Sequence, residues 1–97
     1  MRLGVAAEPL FELEQTVATP GALRALEEAH VGLWAYLQRH LTGDWGDLDR
    51  EDAAANDHAV GHGLRILSAY VLPTGQRIWI ITEADRSATT FLLPEEY

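Results

Sequence analysis

The hydrophobic pattern of the chain changes period once, near Leu64, and this change limits the fold more than any other feature. Before that point, apolar residues recur every three or four positions, as they do on the buried face of a helix. After it come three runs rich in β-branched and aromatic residues, at 64–72, 76–82 and 88–93. The breaks between them, at 73–75 and 83–87, have the composition of hairpin loops. The pattern predicts helices followed by an antiparallel β-meander.

The helical part has a clear start signal at Thr19, whose hydroxyl can cap a helix while Pro20 occupies its first position. Apolar positions then step by three or four residues to about Leu41, where Thr42 and Gly43 act as a stop signal. The residues on this stripe are Leu23, Leu26, His30, Leu33, Trp34, Leu37 and Leu41. We therefore expect one long amphipathic helix over residues 20–41.

A second, shorter helix is predicted over residues 50–60, where Asp47 or Asp49 can act as its cap and glycines end it. Residues 10–17 alternate apolar and acidic side chains, which favours a short strand, although a helical start is also compatible with them. Together these elements predict an α+β fold with two layers. Three or four antiparallel strands would pack against the long helix, with the second helix beside them.

The length of 97 residues and the absence of cysteine predict one domain that needs neither disulfides nor thiolate metal sites. We expect residues 1–9 to form a flexible arm and residues 10–97 to form the domain. The first apolar stretch is too short for a signal peptide, and no stretch reaches the roughly 18 apolar residues of a membrane span. These observations predict a cytoplasmic protein that does not enter a membrane.

Acidic residues dominate the charge of the chain, with fifteen aspartates and glutamates against seven arginines and a net charge of −8. The arginines are scattered along the sequence and form no basic patch. Such a chain repels phosphate backbones and attracts basic surfaces. We therefore expect no direct binding of nucleic acid, and we expect a protein partner with a basic surface.

Residues 43–57 hold six carboxylates against one arginine, with a tryptophan among them. They lack the residue order of a calcium-binding loop, so we interpret them as a solvated acidic loop that a basic partner can contact, and we expect no metal or other cofactor. Trp45 either packs beneath the sheet or anchors a partner, and packing is the preferred interpretation. The partner-binding residues predicted in this run are Asp44, Trp45, Asp47, Asp49, Glu51 and Asp52.

The turn before the last strand is the second predicted contact region. Asp85 can accept backbone N–H groups of the turn, and Arg86 can form a two-pronged pair with a carboxylate of the 44–52 run. A salt-bridged turn that fixes the hairpin is one interpretation of this composition. A partner contact through Glu83, Asp85 and Arg86 is the other.

Catalytic signatures are weak in this sequence, and we predict that the protein is not an enzyme. His58 and His62 have the four-residue spacing of a helical zinc pair, but no third ligand is evident, so surface histidines are the preferred interpretation. His40 lies near a helix end, where the dipole accounts for it. Ser68 and Ser87 have no strained glycine elbow beside them.

Several stretches resemble a family of small proteins from bacterial plasmids, prophages and integrative elements, whose members are often labelled plasmid-related or type I restriction subunit. These stretches are VATPGALRAL (17–26), GDWGDL (43–48), LSAY (67–70), IWIITEADRSATT (78–90) and LPEEY (93–97). The resemblance covers residues 12–97, with a departure at residues 57–62. It implies a mobile-element setting and assigns no role to any residue.

Small size, acidity and that setting together predict an anti-defence inhibitor of the anti-CRISPR or anti-restriction type. Its carboxylates would occupy a basic nucleic-acid-binding surface of a host complex. The alternative is an antitoxin-like or regulatory module that pairs with a basic protein. A metal-dependent hydrolase using the acidic run with His58 or His62 is the third hypothesis. Edge strands can pair across a two-fold axis, so either a monomer or a homodimer is compatible with the sequence.

Overall fold

The computed structural model describes residues 8–97, which form three helices and a mixed four-stranded sheet. The α+β class predicted from the sequence is confirmed. Of the predicted arm at residues 1–9, the first seven residues lie outside the described range. The elements in chain order are β1 (Thr16–Ala18), α1 (Pro20–Glu28), α2 (Leu33–Leu41), α3 (Arg50–His62), β2 (Ile66–Val71), β3 (Arg77–Thr82), β4 (Thr89–Leu92) and a 3-10 turn (Pro94–Glu96).

The single helix predicted over residues 20–41 is instead two helices of nine residues each, α1 and α2. Thr19 starts α1 as predicted, because its Oγ1 accepts a backbone N–H of the first turn at 3.0 Å. The chain leaves the helical conformation at His30, whose φ is +57°, and resumes it at Leu33 after an extended Gly32. The residues of this break have weak helix propensity, so little opposes the interruption.

The sheet has the strand order β1-β4-β3-β2. The β2–β3 and β3–β4 pairs are antiparallel, as the meander predicted. Strand β1 pairs in parallel with β4, with Thr16 opposite Thr89, so the purely antiparallel sheet predicted from the sequence is wrong. The predicted strand at residues 10–17 is also shorter than expected and begins at Thr16.

One face of the sheet carries the main core. Tyr70, Ile80 and Phe91 point from this face toward α1 and α2, and each is at most 1% exposed. The break between the helices redirects two residues of the predicted apolar stripe, because Leu23 is 50% exposed and Trp34 is 61% exposed. The helical layer therefore buries two short stripes in place of one long one.

The outer edge of β2 is closed by side chains and loop segments. The Ala69 N–H donates to the Trp45 carbonyl at 3.1 Å, and the Ala69 carbonyl accepts the Asp47 N–H at 2.6 Å. Two residues earlier, the Asn56 amide bonds both the carbonyl of Leu67 at 2.7 Å and its N–H at 3.2 Å. These four bonds satisfy backbone groups that would otherwise form an open sheet edge.

Helix α3 lies along this edge, starts where the sequence predicted and runs two residues beyond the predicted end at Val60, through Gly61. Asp49 caps it by accepting the Asp52 N–H at 2.8 Å, and Gly63 ends it with a left-handed φ of +63°. Its inner side buries Asn56 and Ala59, so it is a packed element of the fold. With 13 residues it is the longest helix within residues 8–97, and no helix in that range has the length and apolar character needed to cross a membrane.

We predict that Gly46→Ala destabilises the protein by more than about 2 kcal/mol. Gly46 has a φ of +78°, and a Cβ placed there would lie 2.0 Å from the Ala69 carbonyl oxygen. Either the backbone bond to β2 breaks or the strand moves. Urea unfolding followed by circular dichroism measures the change in the free energy of unfolding.

Gly61→Ala is the matched control, because Gly61 lies in α3 and a Cβ there meets no atom from outside its own stretch of helix within 4 Å. We expect this variant to be neutral or stabilised by up to about 1 kcal/mol, since alanine favours the helix. Equal unfolding energies for the two variants would show that the loop does not contact β2 closely.

Candidate functional site

The first part of the acidic run is neutralised within the protein. Asp44 forms a two-pronged pair with Arg39, with Oδ2 2.7 Å from Nε and Oδ1 3.2 Å from Nη2. This pair lowers the pKa of Asp44, mainly through its hydrogen bonds from the guanidinium. Asp47 lies 2.7 Å from Arg77 Nη1 on β3. Both pairs are solvent-exposed, so they remove net charge from the surface while contributing little stability.

The second part of the run presents unneutralised carboxylates. Asp49, Glu51 and Asp52 occupy the cap and first turn of α3, and all three are exposed. Within residues 8–97, no arginine nitrogen lies within 4 Å of any of these carboxylates. They stand at the positive end of the helix dipole, where negative side chains are stabilised. We call Asp49, Glu51 and Asp52 the α3 acidic patch.

The turn at residues 83–87 lies at the opposite end of α3. Arg86 donates to the carbonyls of Ala59 at 2.9 Å and Leu64 at 2.6 Å, so its guanidinium binds the C-terminal end of that helix. The expected pairing of Arg86 with a carboxylate of the 44–52 run is therefore not formed. The length of α3, 13 residues or about 20 Å, separates its acidic first turn from its C-terminal end. Within residues 8–97, no ion pair joins Arg86 to a carboxylate of the 44–52 run.

The two acidic residues of this turn have local partners. Asp85 Oδ1 accepts hydrogen bonds from the N–H of Ser87 at 3.0 Å and from its hydroxyl at 2.6 Å, and these bonds lower the pKa of Asp85. Glu83 lies 3.8 Å from Arg65, a loose and exposed pair. Both carboxylates remain at the surface, and Arg86 holds the turn by bonding backbone groups.

Trp45 is packed inside the protein and only 5% exposed. Its indole Nε1 donates to Asp57 Oδ1 at 2.9 Å, and its ring contacts Ala59 and Ile66. The packing interpretation agrees with this position. In this conformation the ring of Trp45 offers no face to a partner, which does not fit the alternative interpretation of Trp45 as an exposed interface anchor.

A buried polar cluster around His40 was missed by the sequence analysis. His40 Nδ1 lies 2.5 Å from Ser68 Oγ, and Nε2 lies 2.8 Å from Thr82 Oγ1, which in turn lies 2.8 Å from Thr89 Oγ1. All four side chains are 0% exposed. One signal for the cluster was available in the sequence. Ser68 lies two residues from Ile66 and Tyr70, and Thr82 two residues from Ile80, so the strand alternation places both hydroxyls on an apolar face.

The environment keeps His40 neutral. Burial first, and the positive charge of Arg86 second, together lower its pKa to about 3. Aromatic rings surround the imidazole, with the Phe11 centroid at 5.5 Å and the Trp45 centroid at 5.9 Å. The Ser68–His40 contact has the distance of a nucleophile and its base, but no solvent reaches the serine, so the pair holds α2 against the sheet.

The histidine pair on α3 lies on the surface, as predicted. The rings of His58 and His62 stack with centroids 3.8 Å apart and planes 13° apart, and the His62 Nδ1 lies 2.8 Å from the His58 carbonyl. A ligated metal lies close to the plane of each imidazole, and parallel stacked rings give no common position for it. Residues 8–97 contain no cluster of three or more histidine, aspartate or glutamate side chains arranged to bind a metal.

Comparison of the chain with protein-family models, curated proteins and solved structures finds no match. The resemblance to plasmid and prophage proteins therefore stays a prediction from the sequence. The functional assignment rests on the surface of the protein itself.

We predict that the free energy of unfolding falls by about 2 kcal/mol between pH 7 and pH 5 because of His40. Its pKa is about 3 in the folded protein and near 6.5 when exposed, so between these values only the unfolded chain binds the proton. Stability is therefore fully present above pH 6.5 and is lost as the pH falls toward 3. Urea unfolding at the two pH values measures the effect.

His40→Gln should lose most of this pH dependence, whatever its absolute stability, whereas His62→Gln should keep it because His62 is exposed. If the wild-type protein and His40→Gln show the same pH dependence, His40 is not buried in its neutral form.

We predict that Arg86→Met destabilises the protein by about 2 kcal/mol, because it leaves the carbonyls of Ala59 and Leu64 without their charged donor. Thermal and urea unfolding measure this change. Arg50→Met removes the same charge from an exposed position and should alter stability by less than about 0.5 kcal/mol. Unchanged stability of Arg86→Met would mean that these two hydrogen bonds contribute little to folding.

Proposed function

We propose that this protein acts by binding and not by catalysis, as an acidic inhibitor that occupies the basic nucleic-acid-binding surface of a host defence complex of the CRISPR or restriction type. The observation that carries this proposal is the α3 acidic patch. It presents three exposed carboxylates with no arginine nitrogen within 4 Å of them in the described part of the chain.

The internal pairing of other acids supports this choice of surface. Asp44 and Asp47 are held by arginines of the protein, so binding a partner through them requires breaking an existing pair. The carboxylates of the α3 acidic patch can contact a partner without breaking an ion pair to an arginine of residues 8–97. A groove that binds phosphates is lined with arginine and lysine, and it attracts negative side chains held on a rigid element for the same electrostatic reason.

The overall charge supports the same proposal. A net charge of −8 in a chain of 97 residues accelerates the encounter with a basic complex and disfavours contact with nucleic acid. At the far end of α3, about 20 Å away, Glu83 and Asp85 lie beside Arg65 and Arg86. The unpaired negative charge along α3 therefore lies mainly in the α3 acidic patch, which is the part of the helix that a basic groove would meet first.

The test is a competition assay in which a Cascade-type CRISPR complex or a type I restriction complex binds labelled target DNA. We expect micromolar protein to reduce DNA binding, and we expect the inhibition to weaken steeply as salt rises, because the contact is between charged surfaces. Unchanged DNA binding by both complexes would contradict the proposal for those two classes of target.

The variant that tests the site is the triple substitution Asp49→Asn, Glu51→Gln and Asp52→Asn. Asparagine retains the helix cap, so the fold should persist, and we expect inhibition to weaken by about ten-fold or more. A control triple, Glu27→Gln, Glu28→Gln and Glu95→Gln, removes the same charge from other exposed positions. Equal loss in both variants would mean that net charge alone acts and that the α3 acidic patch has no special role.

A further inference from the structure

A second surface of the protein has a different composition. Trp34 stands at the start of α2 and is 61% exposed, whereas Trp45 is 5% exposed. It borders a groove of about 350 Å³ between α2 and the segment at residues 9–13. The groove is lined by Pro9, Phe11, Glu12, Leu13, Trp34 and Leu41. We call it the Trp34 groove.

The floor of this groove is fixed by contacts below it. The Leu10 N–H donates to the Leu41 carbonyl at 2.8 Å, which ties the segment to the end of α2. Phe11 packs edge-on against His40 and lies 5.4 Å from the Arg86 guanidinium carbon. Because the floor is held from beneath while Trp34 remains exposed, the groove offers a preformed apolar surface with one aromatic wall.

The rim of the groove carries one carboxylate, that of the exposed Glu12. Two further exposed glutamates, Glu8 and Glu14, flank the 9–13 segment in the sequence. Because the protein has a net charge of −8, a second copy would bring like charge to the contact, which opposes self-association there. A segment that carries lysine or arginine beside an apolar side chain is complementary to both the rim and the floor.

We propose that the Trp34 groove binds a cationic segment of a partner protein, which inserts one or two large apolar side chains against Trp34 and places lysine or arginine near Glu12. Exposed tryptophans beside preformed apolar pockets are the positions where binding energy concentrates in protein interfaces. This site goes beyond the inhibitor proposal, since it uses a surface other than the α3 acidic patch and does not depend on mimicry of phosphates.

The test is selection of a displayed library of random twelve-residue peptides on the full-length protein, followed by titration of synthetic versions of the selected peptides. We expect the selected peptides to combine leucine or an aromatic residue with lysine or arginine. Binding should change the fluorescence of Trp34. Trp34→Ala should weaken binding by about ten-fold or more, and Glu12→Gln should weaken it less and reduce its salt dependence.

The triple variant of the α3 acidic patch separates this inference from the proposed function, because it should bind the selected peptides as the wild-type protein does. Absence of such peptides, or binding that Trp34→Ala leaves unchanged, overturns the inference. Sedimentation of the protein alone measures its oligomeric state and tests whether a second copy occupies the groove. A dimer that Trp34→Ala converts to a monomer would mean that a second copy occupies the groove, and the assignment to a cationic partner would be wrong.

Discussion

The two hydrogen bonds between Ala69 and the segment of Trp45 and Asp47 are the constraint on which the rest of the structure depends. They close the outer edge of β2. They also require a glycine at position 46, because the Ala69 carbonyl oxygen lies too close to leave room for a Cβ there. They flank Trp45, whose ring packs inward against Ala59 and Ile66 and donates to Asp57. The first part of the acidic run is thus bound to the sheet edge, and only the remaining part of its charge is available to a partner.

The buried cluster around His40 is the second element that unites the fold. Through Ser68 and Thr82 it connects α2 with two strands, and through Thr89 it reaches a third. Every hydroxyl in it has a partner, and no buried side-chain nitrogen or oxygen within residues 8–97 lacks one. A polar cluster of this kind tolerates few alternative registers, because a shift of one residue would leave its groups unpaired in an apolar interior.

The sequence predicted the features that depend on local chemistry. The loop at 73–75 with Gly75 at a φ of +90° and the Asp49 cap are set by neighbouring residues and were found as expected. The break at His30 was missed, because the apolar spacing continues through it. The parallel pairing of β1 with β4 and the His40 cluster join residues far apart in the chain, so no short window of sequence could contain them. For the site, composition identified the acids but not which of them the arginines neutralise.

The functional proposal distinguishes two parts of the acidic run. Asp44, Trp45 and Asp47 are held within the fold, whereas the α3 acidic patch is available to a partner. Amide hydrogen exchange of Asp47, measured by NMR, tests this distinction most directly. The bond from its N–H to the Ala69 carbonyl predicts slow exchange, comparable with that of the Ile80 amide in the centre of the sheet. Exchange as fast as that of an exposed loop would show that the acidic run is not bound to β2, and the account would be contradicted.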